Sequence, residues 1–431
     1  MATMALTLLV ASGLVLTAGV GFAAADSSVV GPGESIQKAI NAADPGDTII
    51  VRGVHREDVT IRKDGIKLRG DDAVIKPPAR ADSPCSRAFG PEAICIFGGL
   101  NVQTGEITGP RVSDVSVSGF TIRGFQGGQG DSITFSIDAL HARDTTLAGN
   151  RVVGNAGGGI AVSTGSINTT IVNNDVIGNA NSNASGIFVE FSSNTTLAKN
   201  TVRNFPEGEN AIEAIEATNT TIAGNDLVGN WLGVFIVDSP ETKILSNDMS
   251  RTGDVGTYVA GQKSRNAKVA GNNISGGAWG IFVEDTHGGS VVGNTVRDNC
   301  AGMFFDAFKA EPVGDFKVAG NTVKDNTRSC RAAQFDRNFS GIGIALLGAR
   351  EMEVTGNRIS GNVPSGPTRI SGGVVVSTNP YFGGSAKPKN NSVTGNHFGR
   401  NKPDIFYDKS GSGNSFVGNL CNTSVPTRLC N

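Results

Sequence analysis

From about residue 145 to residue 420 the chain restates one short pattern of apolar and polar positions. TTLAGNRVVGN (145–155), TTIVNNDVIGN (169–179) and TTIAGNDLVGN (220–230) are three of its statements. Each holds brief alternating runs between Asn/Gly bends, too short and of the wrong period for helices. An Asn closes the first run of each unit, at Asn150, Asn174, Asn200, Asn225, Asn247, Asn272, Asn294, Asn321, Asn357, Asn396 and Asn419. Repeats of roughly 20–50 residues mark solenoids. Three short strands per unit predict a parallel β-helix, because one coil cannot bury its apolar face alone and stacked near-copies bury a continuous one. Asn suits the repeated place in two ways: it tolerates a left-handed bend, and its amide can bond to the Asn of the next coil. The Asn-Thr-Thr triplets beginning at Asn168, Asn194 and Asn219 match glycosylation sequons, yet their common place in successive coils gives them a turn role.

Aligning the run typified by Gly186-Ile187-Phe188-Val189-Glu190 separates inward from outward positions. The second column reads Ile160, Ile187, Ile212, Val234, Thr257, Ile281, Met303, Ile342, Val374 and Ile405, and the fourth is equally apolar, so both face the core. The third column faces outward and contains Phe235, Tyr258, Phe282 and Phe304 on consecutive coils, an aromatic strip about 15 Å long at the usual strand spacing. In the fifth column Glu284 and Asp306 become neighbours roughly 4.8 Å apart. Asp285, His287 and Lys309 follow closely in the chain.

Stacked carboxylates need a shared proton, a cation or a basic neighbour. A shared proton would suit a glycoside hydrolase, with retention at about 5 Å separation. Calcium held by Glu284, Asp285 and Asp306, with Lys309 or His287 as base, would suit β-elimination from a uronate polymer. The plain structural alternative is an aromatic ladder favoured by β-propensity, kept soluble by its acids. Long segments at 326–340 and 361–372 precede the same strand in later coils and are expected to wall a cleft, where Arg331 could meet an anionic sugar or remain a solvated charge.

Composition narrows the partners. With 37 Lys plus Arg against 39 Asp plus Glu among 431 residues, the net charge of −2 supplies no footprint for nucleic acid. Residues 1–25 form an apolar run ending in Ala23-Ala24-Ala25, which reads as a secretory signal peptide, with an uncleaved membrane anchor as the alternative. A secreted, monomeric domain over 26–431 is expected. Six Cys suit an oxidising compartment. They allow 15 pairings; closeness in the chain favours Cys85 with Cys95 and Cys421 with Cys430, leaving Cys300 for Cys330, and the last pair of neighbours closes the C-terminal end at 421–430.

ESIQKAINAADPGDTIIVRGVHREDVTI (34–61) resembles the opening of right-handed parallel β-helix proteins of the pectate-lyase superfamily, and with the repeats the resemblance covers roughly residues 35–420. Its own residues predict a capping helix over 35–43: Ile36, Ala39, Ile40 and Ala43 make one apolar stripe, Ser35 serves as N-cap, and Pro45-Gly46 ends it. The resemblance implies an all-β solenoid that binds, and if catalytic cleaves or modifies, a polysaccharide or cell-surface glycan. The paired-Asp and Gly-His-Gly motifs of polygalacturonases and the Asp-Pro-His-Asp motif of alginate epimerases are absent, so no catalytic residue carries over. A non-catalytic adhesive or structural β-helix is the competing class. Copper delivery, known for one β-helix relative, is the minor alternative, since four His and five Met supply few soft ligands.

Overall fold

Period-two alternation puts one apolar side of every short strand inward, and stacking the coils joins these sides into a single core. The structure, a computed structural model, describes residues 26–126, 134–178, 184–308, 313–332, 337–381 and 385–430. Residues 1–25, which contain the expected signal peptide, and Lys309 lie outside the described residues.

Fourteen strands pair in parallel and in chain order, from Val59–Ile61 through Ile94–Phe97, Phe135–Leu140 and Gly158–Ser163 to Ile405–Tyr407 and Ser424–Val425. Two further strand stacks complete each coil; one runs through Thr170–Val172, Thr196–Ala198 and Thr221–Ala223, the other through Asp248–Ser250, Asn273–Ser275 and Thr295–Arg297. The second and fourth columns are buried, as Ile187 and Ile212 show for the one and Val189 and Ala214 for the other. One coil departs from the expected alignment: Met303 pairs with Ile344 and Phe304 with Ala345, so Ile342 belongs two positions earlier. Ile344 and Leu346 take the core positions, whereas Ile342, expected inward, joins Phe304 in an apolar cluster on the outer face.

The Asn column forms a continuous ladder. Asn225 donates its backbone N–H and its side-chain Nδ2 to Asn247 Oδ1, each at 2.9 Å, and Asn247 repeats both bonds to Asn272 at 2.9 and 3.0 Å. A second ladder links Asn299, Asn326, Asn362 and Asn401. The left-handed bend falls on the residue before each rung: Gly149, Asn173, Lys199, Gly224, Ser246 and Gly271 have φ between 53° and 67°. The rung Asn is therefore chosen for its amide, which corrects the expectation that its own backbone makes the bend. Asn168, Asn194 and Asn219 do adopt left-handed φ, and their side chains bond in a row at 3.1 and 2.8 Å.

The helix spans Ile36–Ala42, with Ser35 Oγ accepting from Lys38 N at 3.1 Å and Ile36 and Ile40 entering the core. All three expected disulfides are present: Cys85–Cys95, Cys300–Cys330 and Cys421–Cys430. Among the described residues no helix is long and apolar enough to cross a membrane.

Candidate functional site

The fourteen-stranded sheet turns its odd columns away from the core, and register alone brings the aromatic strip together. Phe235 pairs with Tyr258, Tyr258 with Phe282, and Phe282 with Phe304. Their ring centroids follow at 5.1, 5.1 and 5.4 Å. Phe235, Tyr258 and Phe282 are half-buried. Phe304 is only 1% exposed.

That burial corrects the expected cleft. The long segments lie down on the face instead of standing beside it. An antiparallel hairpin, Cys330–Ala332 with Arg337–Phe339, brings Phe339 to 4.7 Å from Trp279, while Ile370 and Tyr381 close over Phe304 in a second apolar cluster. Cys300–Cys330 ties the hairpin to the residue preceding the strand Ala301–Asp306. The open strip thus runs from Phe235 to Phe282. Phe304→Ala is expected to cost about 3 kcal/mol, as for a core Phe, and Phe235→Ala well under half of that; equal losses in chemical denaturation would show that the two rings share one environment.

Glu284 and Asp306 are cross-strand partners as expected. The Tyr258 hydroxyl donates to Glu284 Oε2, and burial followed by the neighbouring Glu284 charge pushes that hydroxyl's pKa further up. Asp306 is wholly buried; Asn379 Nδ2 donates to its Oδ1, while Oδ2 has no hydrogen-bond partner. Burial first, then the charges of Glu284 and Asp285, raise its pKa to about 8 against the opposing Asn379 bond. The pair therefore joins a carboxyl that is neutral at pH 7 to one that accepts a phenolic hydrogen bond. Asp285 Oδ1 accepts from Phe308 N at 3.0 Å.

Other expected members stand apart. His287 begins a strand of a different sheet, with Nδ1 4.0 Å from Asp315 Oδ2 and Nε2 3.5 Å from Arg350 Nη2. Arg331 sits exposed on the hairpin opposite Asn338. Glu284, Asp285 and Asp306 do not converge as a three-ligand set; among the described residues only Cys85, Glu92 and Cys95 place their ligand atoms within 4.8 Å of one another, and both cysteines are in a disulfide.

Sequence reasoning passed over Asn379, which reaches Asp306 from 73 residues away, and the acids Glu92 and Asp138. Asp138 lies in the third column one strand before the column's expected start, so extending the alignment to Phe135–Leu140 would have found it. With it, the fourteen strands of this sheet carry Asp138, Glu190, Glu213, Glu284 and Asp306 and no Lys or Arg. Ser185 Oγ and Asn210 Nδ2 both donate to Glu213 Oε2.

The family described as "Right handed beta helix region" matches residues 175–323, and the one described as "Periplasmic copper-binding protein (NosD)" matches residues 250–428. No curated protein matches the sequence. Among solved structures, the catalytic unit of the GH87 α-1,3-glucanase from Streptomyces thermodiastaticus aligns with a TM-score of 0.59 at 15% identity, covering 93% of this chain and 70% of the other. The A-module of the mannuronan C-5 epimerase AlgE6 from Azotobacter vinelandii aligns with a TM-score of 0.50 at 17% identity, covering 90% and 94%. At such identities the likeness carries the fold, and chemistry has to be argued from this chain's own residues.

Proposed function

Because the chain is a right-handed parallel β-helix of the pectate-lyase-like kind, we propose that it is an extracytoplasmic protein that binds a neutral glycan along the fourteen-stranded sheet, with Phe235, Tyr258 and Phe282 as the stacking platform. The observation that carries this reading is the run of half-exposed rings on consecutive strands of a rigid sheet. Flat apolar ring faces suit the apolar faces of sugars, and rings held by a sheet lose little freedom on binding. Neutrality follows from the partly exposed Glu190, Glu213 and Glu284 and the lack of any Lys or Arg on these strands, which disfavour a uronate polymer. Binding fits this geometry better than cleavage. A general acid has to reach the leaving oxygen, and Asp306 is enclosed beneath Asn379. The three disulfides fit a compartment outside the reducing cytosol.

Copper does not fit the residues present. Within 250–428, Met303 and Met352 are core residues, the three cysteines Cys300, Cys330 and Cys421 are all in disulfides, and His287 and His397 lie in different coils. No described set of soft donors converges there, so no copper role is derived.

Calorimetric titration with neutral α- and β-glucans and with uronans, each with calcium or chelator, tests the reading. The parent should bind a neutral glucan without calcium. Phe235→Ala combined with Tyr258→Ala should weaken that binding about tenfold, from roughly 0.5–1.5 kcal/mol per aromatic contact. A preference for uronans, or unchanged affinity in the folded double variant, would defeat the proposal.

A further inference from the structure

Three cations stand in one outward column of the seventeen-stranded sheet, on consecutive strands and with no acid between them. Arg56 is the cross-strand partner of Lys76. The next strand pairs Ile122 with Ile75, and the Arg123 N–H continues that register by donating to the Ile75 carbonyl at 3.1 Å, so Arg123 follows Lys76. His55, Ile75 and Ile122 are buried, which turns all three cations outward.

Like charges directly opposite one another on adjacent strands are destabilising. None of the described ion pairs involves Arg56, Lys76 or Arg123. The acids closest in the chain and in register are committed elsewhere: Glu57 Oε2 accepts from Gln37 N at 3.1 Å, Asp58 Oδ2 from Asp82 N and Ser83 N at 2.8 and 2.6 Å, and Asp175 pairs with Arg151 and Arg203. Protection of an open sheet edge explains Arg56 alone. The strand Ser27–Val30 covers only Thr48–Val51, so residues 52–56 are an edge where charge discourages further pairing. Lys76 and Arg123 lie inside the stack, with strands on both sides.

The three side chains line one groove of about 490 Å³ together with Pro77 and Val153. Gly124 and Gly154 complete its lining without side chains, which leaves the space open. We propose that Arg56, Lys76 and Arg123 form a binding site for phosphoryl groups, taken as free diphosphate or as phosphate esters on an organic body. Charge decides the class. A phosphate ester carries roughly −1.5 to −2 charges at pH 7 and three acceptor oxygens, so one group engages two of the cations, whereas a carboxylate brings a single charge. The two guanidinium forks can each pair bidentately with phosphate oxygens, and the Lys76 ammonium adds a point charge between them. Pro77 and Val153 offer apolar contact to whatever body carries the phosphate. This groove is on a different sheet from the aromatic platform and does not depend on glycan binding.

Calorimetric titration of the disulfide-intact protein at low and at physiological ionic strength tests the proposal, with inorganic phosphate, pyrophosphate and glucose 6-phosphate as probes and glucuronate as the carboxylate control. The parent should bind pyrophosphate about tenfold or more tightly than glucuronate, and salt should weaken that binding. Tighter binding of glucose 6-phosphate than of inorganic phosphate would identify the ligand as an ester, and the reverse order would identify the free anion. Arg56→Gln, Lys76→Gln and Arg123→Gln should each weaken pyrophosphate binding about tenfold. Arg123→Lys should fall between parent and Gln variant, because it keeps the charge and loses the fork. Lys243→Gln, elsewhere on the same sheet, should change nothing. Without ligand each Gln variant should melt no lower than the parent, since a like-charge contact has been removed. A parent that binds none of the phosphate probes, or binds glucuronate as tightly as pyrophosphate, overturns the assignment. So does undiminished pyrophosphate affinity in the folded triple Gln variant.

Discussion

Raising the pH from about 5 to about 8.5 is expected to lower the stability of this protein, and Asp306→Asn is expected to remove much of that loss. The pKa of Asp306 stands near 8 in the folded chain against an ordinary 3.8. Asp138 at about 7 and Asp254 at about 6 are displaced the same way, each chiefly by burial, and Glu92 follows them in direction. A raised pKa means that the folded state keeps protons the unfolded chain gives up. The associated stability is complete below the unfolded pKa near 4 and is lost as pH climbs through the folded values, up to about 8. At 1.36 kcal/mol per pKa unit, Asp306 alone accounts for a loss on the order of 5 kcal/mol. Asn at 306 keeps an oxygen for Asn379 and carries no charge at any pH, so its profile should be flatter and the variant more stable than the parent at pH 8. Urea denaturation at a series of pH values, with a constant m-value, measures this directly. A parent whose stability rises between pH 5 and 8 would show that Asp306 is ionised at little cost, and that the buried neutral acid does not exist.

Asn247→Ala should be among the most damaging single changes in the molecule. Asn247 Oδ1 receives both the N–H and the Nδ2 of Asn225, and its own Nδ2 serves Asn272 Oδ1 and the Ile222 carbonyl at 2.9 Å. All of these groups are buried, and Ala satisfies none of them. Stranding two donors and a carbonyl at roughly 1–3 kcal/mol each predicts a loss of about 5 kcal/mol. Asn247→Asp should also be severe, since an ionised carboxylate can accept from Asn225 and has nothing to donate onward. A loss below about 1 kcal/mol for Asn247→Ala in equilibrium unfolding would mean that water replaces the rung and that the ladder contributes little.

The inward columns were legible because a one-residue slip would have turned Ile187, Val189 and their successors out to solvent; the pattern permits one phase. The misplacement at Ile342 went unseen because the insertion at 326–340 hides the spacing and Ile344 faces the core under either alignment. Pairing of Glu284 with Asp306 and the order of the rings followed from register. Their surroundings did not. Phe339, Ile370 and Asn379 come from segments outside the repeat, with no period to read, and they turned one end of an expected surface into a second core. Asn379 binds Asp306 through a contact that neither residue type nor spacing announces. The left-handed bend was legible as a turn, yet it was assigned one residue late, because Gly and Asn stand side by side in phrases such as AGN and either could have filled it.

The Asn ladder also has a direction. Every described rung hands its N–H and amide forward to the oxygen of the following coil, from Asn150 to Asn174 and on to Asn396 and Asn419. During synthesis from the N-terminus, the newest coil therefore always ends in one backbone donor and one amide that wait for the next rung to emerge. Each arriving coil closes that pair and presents an equivalent one, so the solenoid can lengthen vectorially with a constant, water-compatible tip. The same polarity makes whole coils the natural unit of gain or loss: removing one between two Asn positions rejoins equivalent donors to equivalent oxygens, whereas a cut within a coil leaves the ladder without its partner.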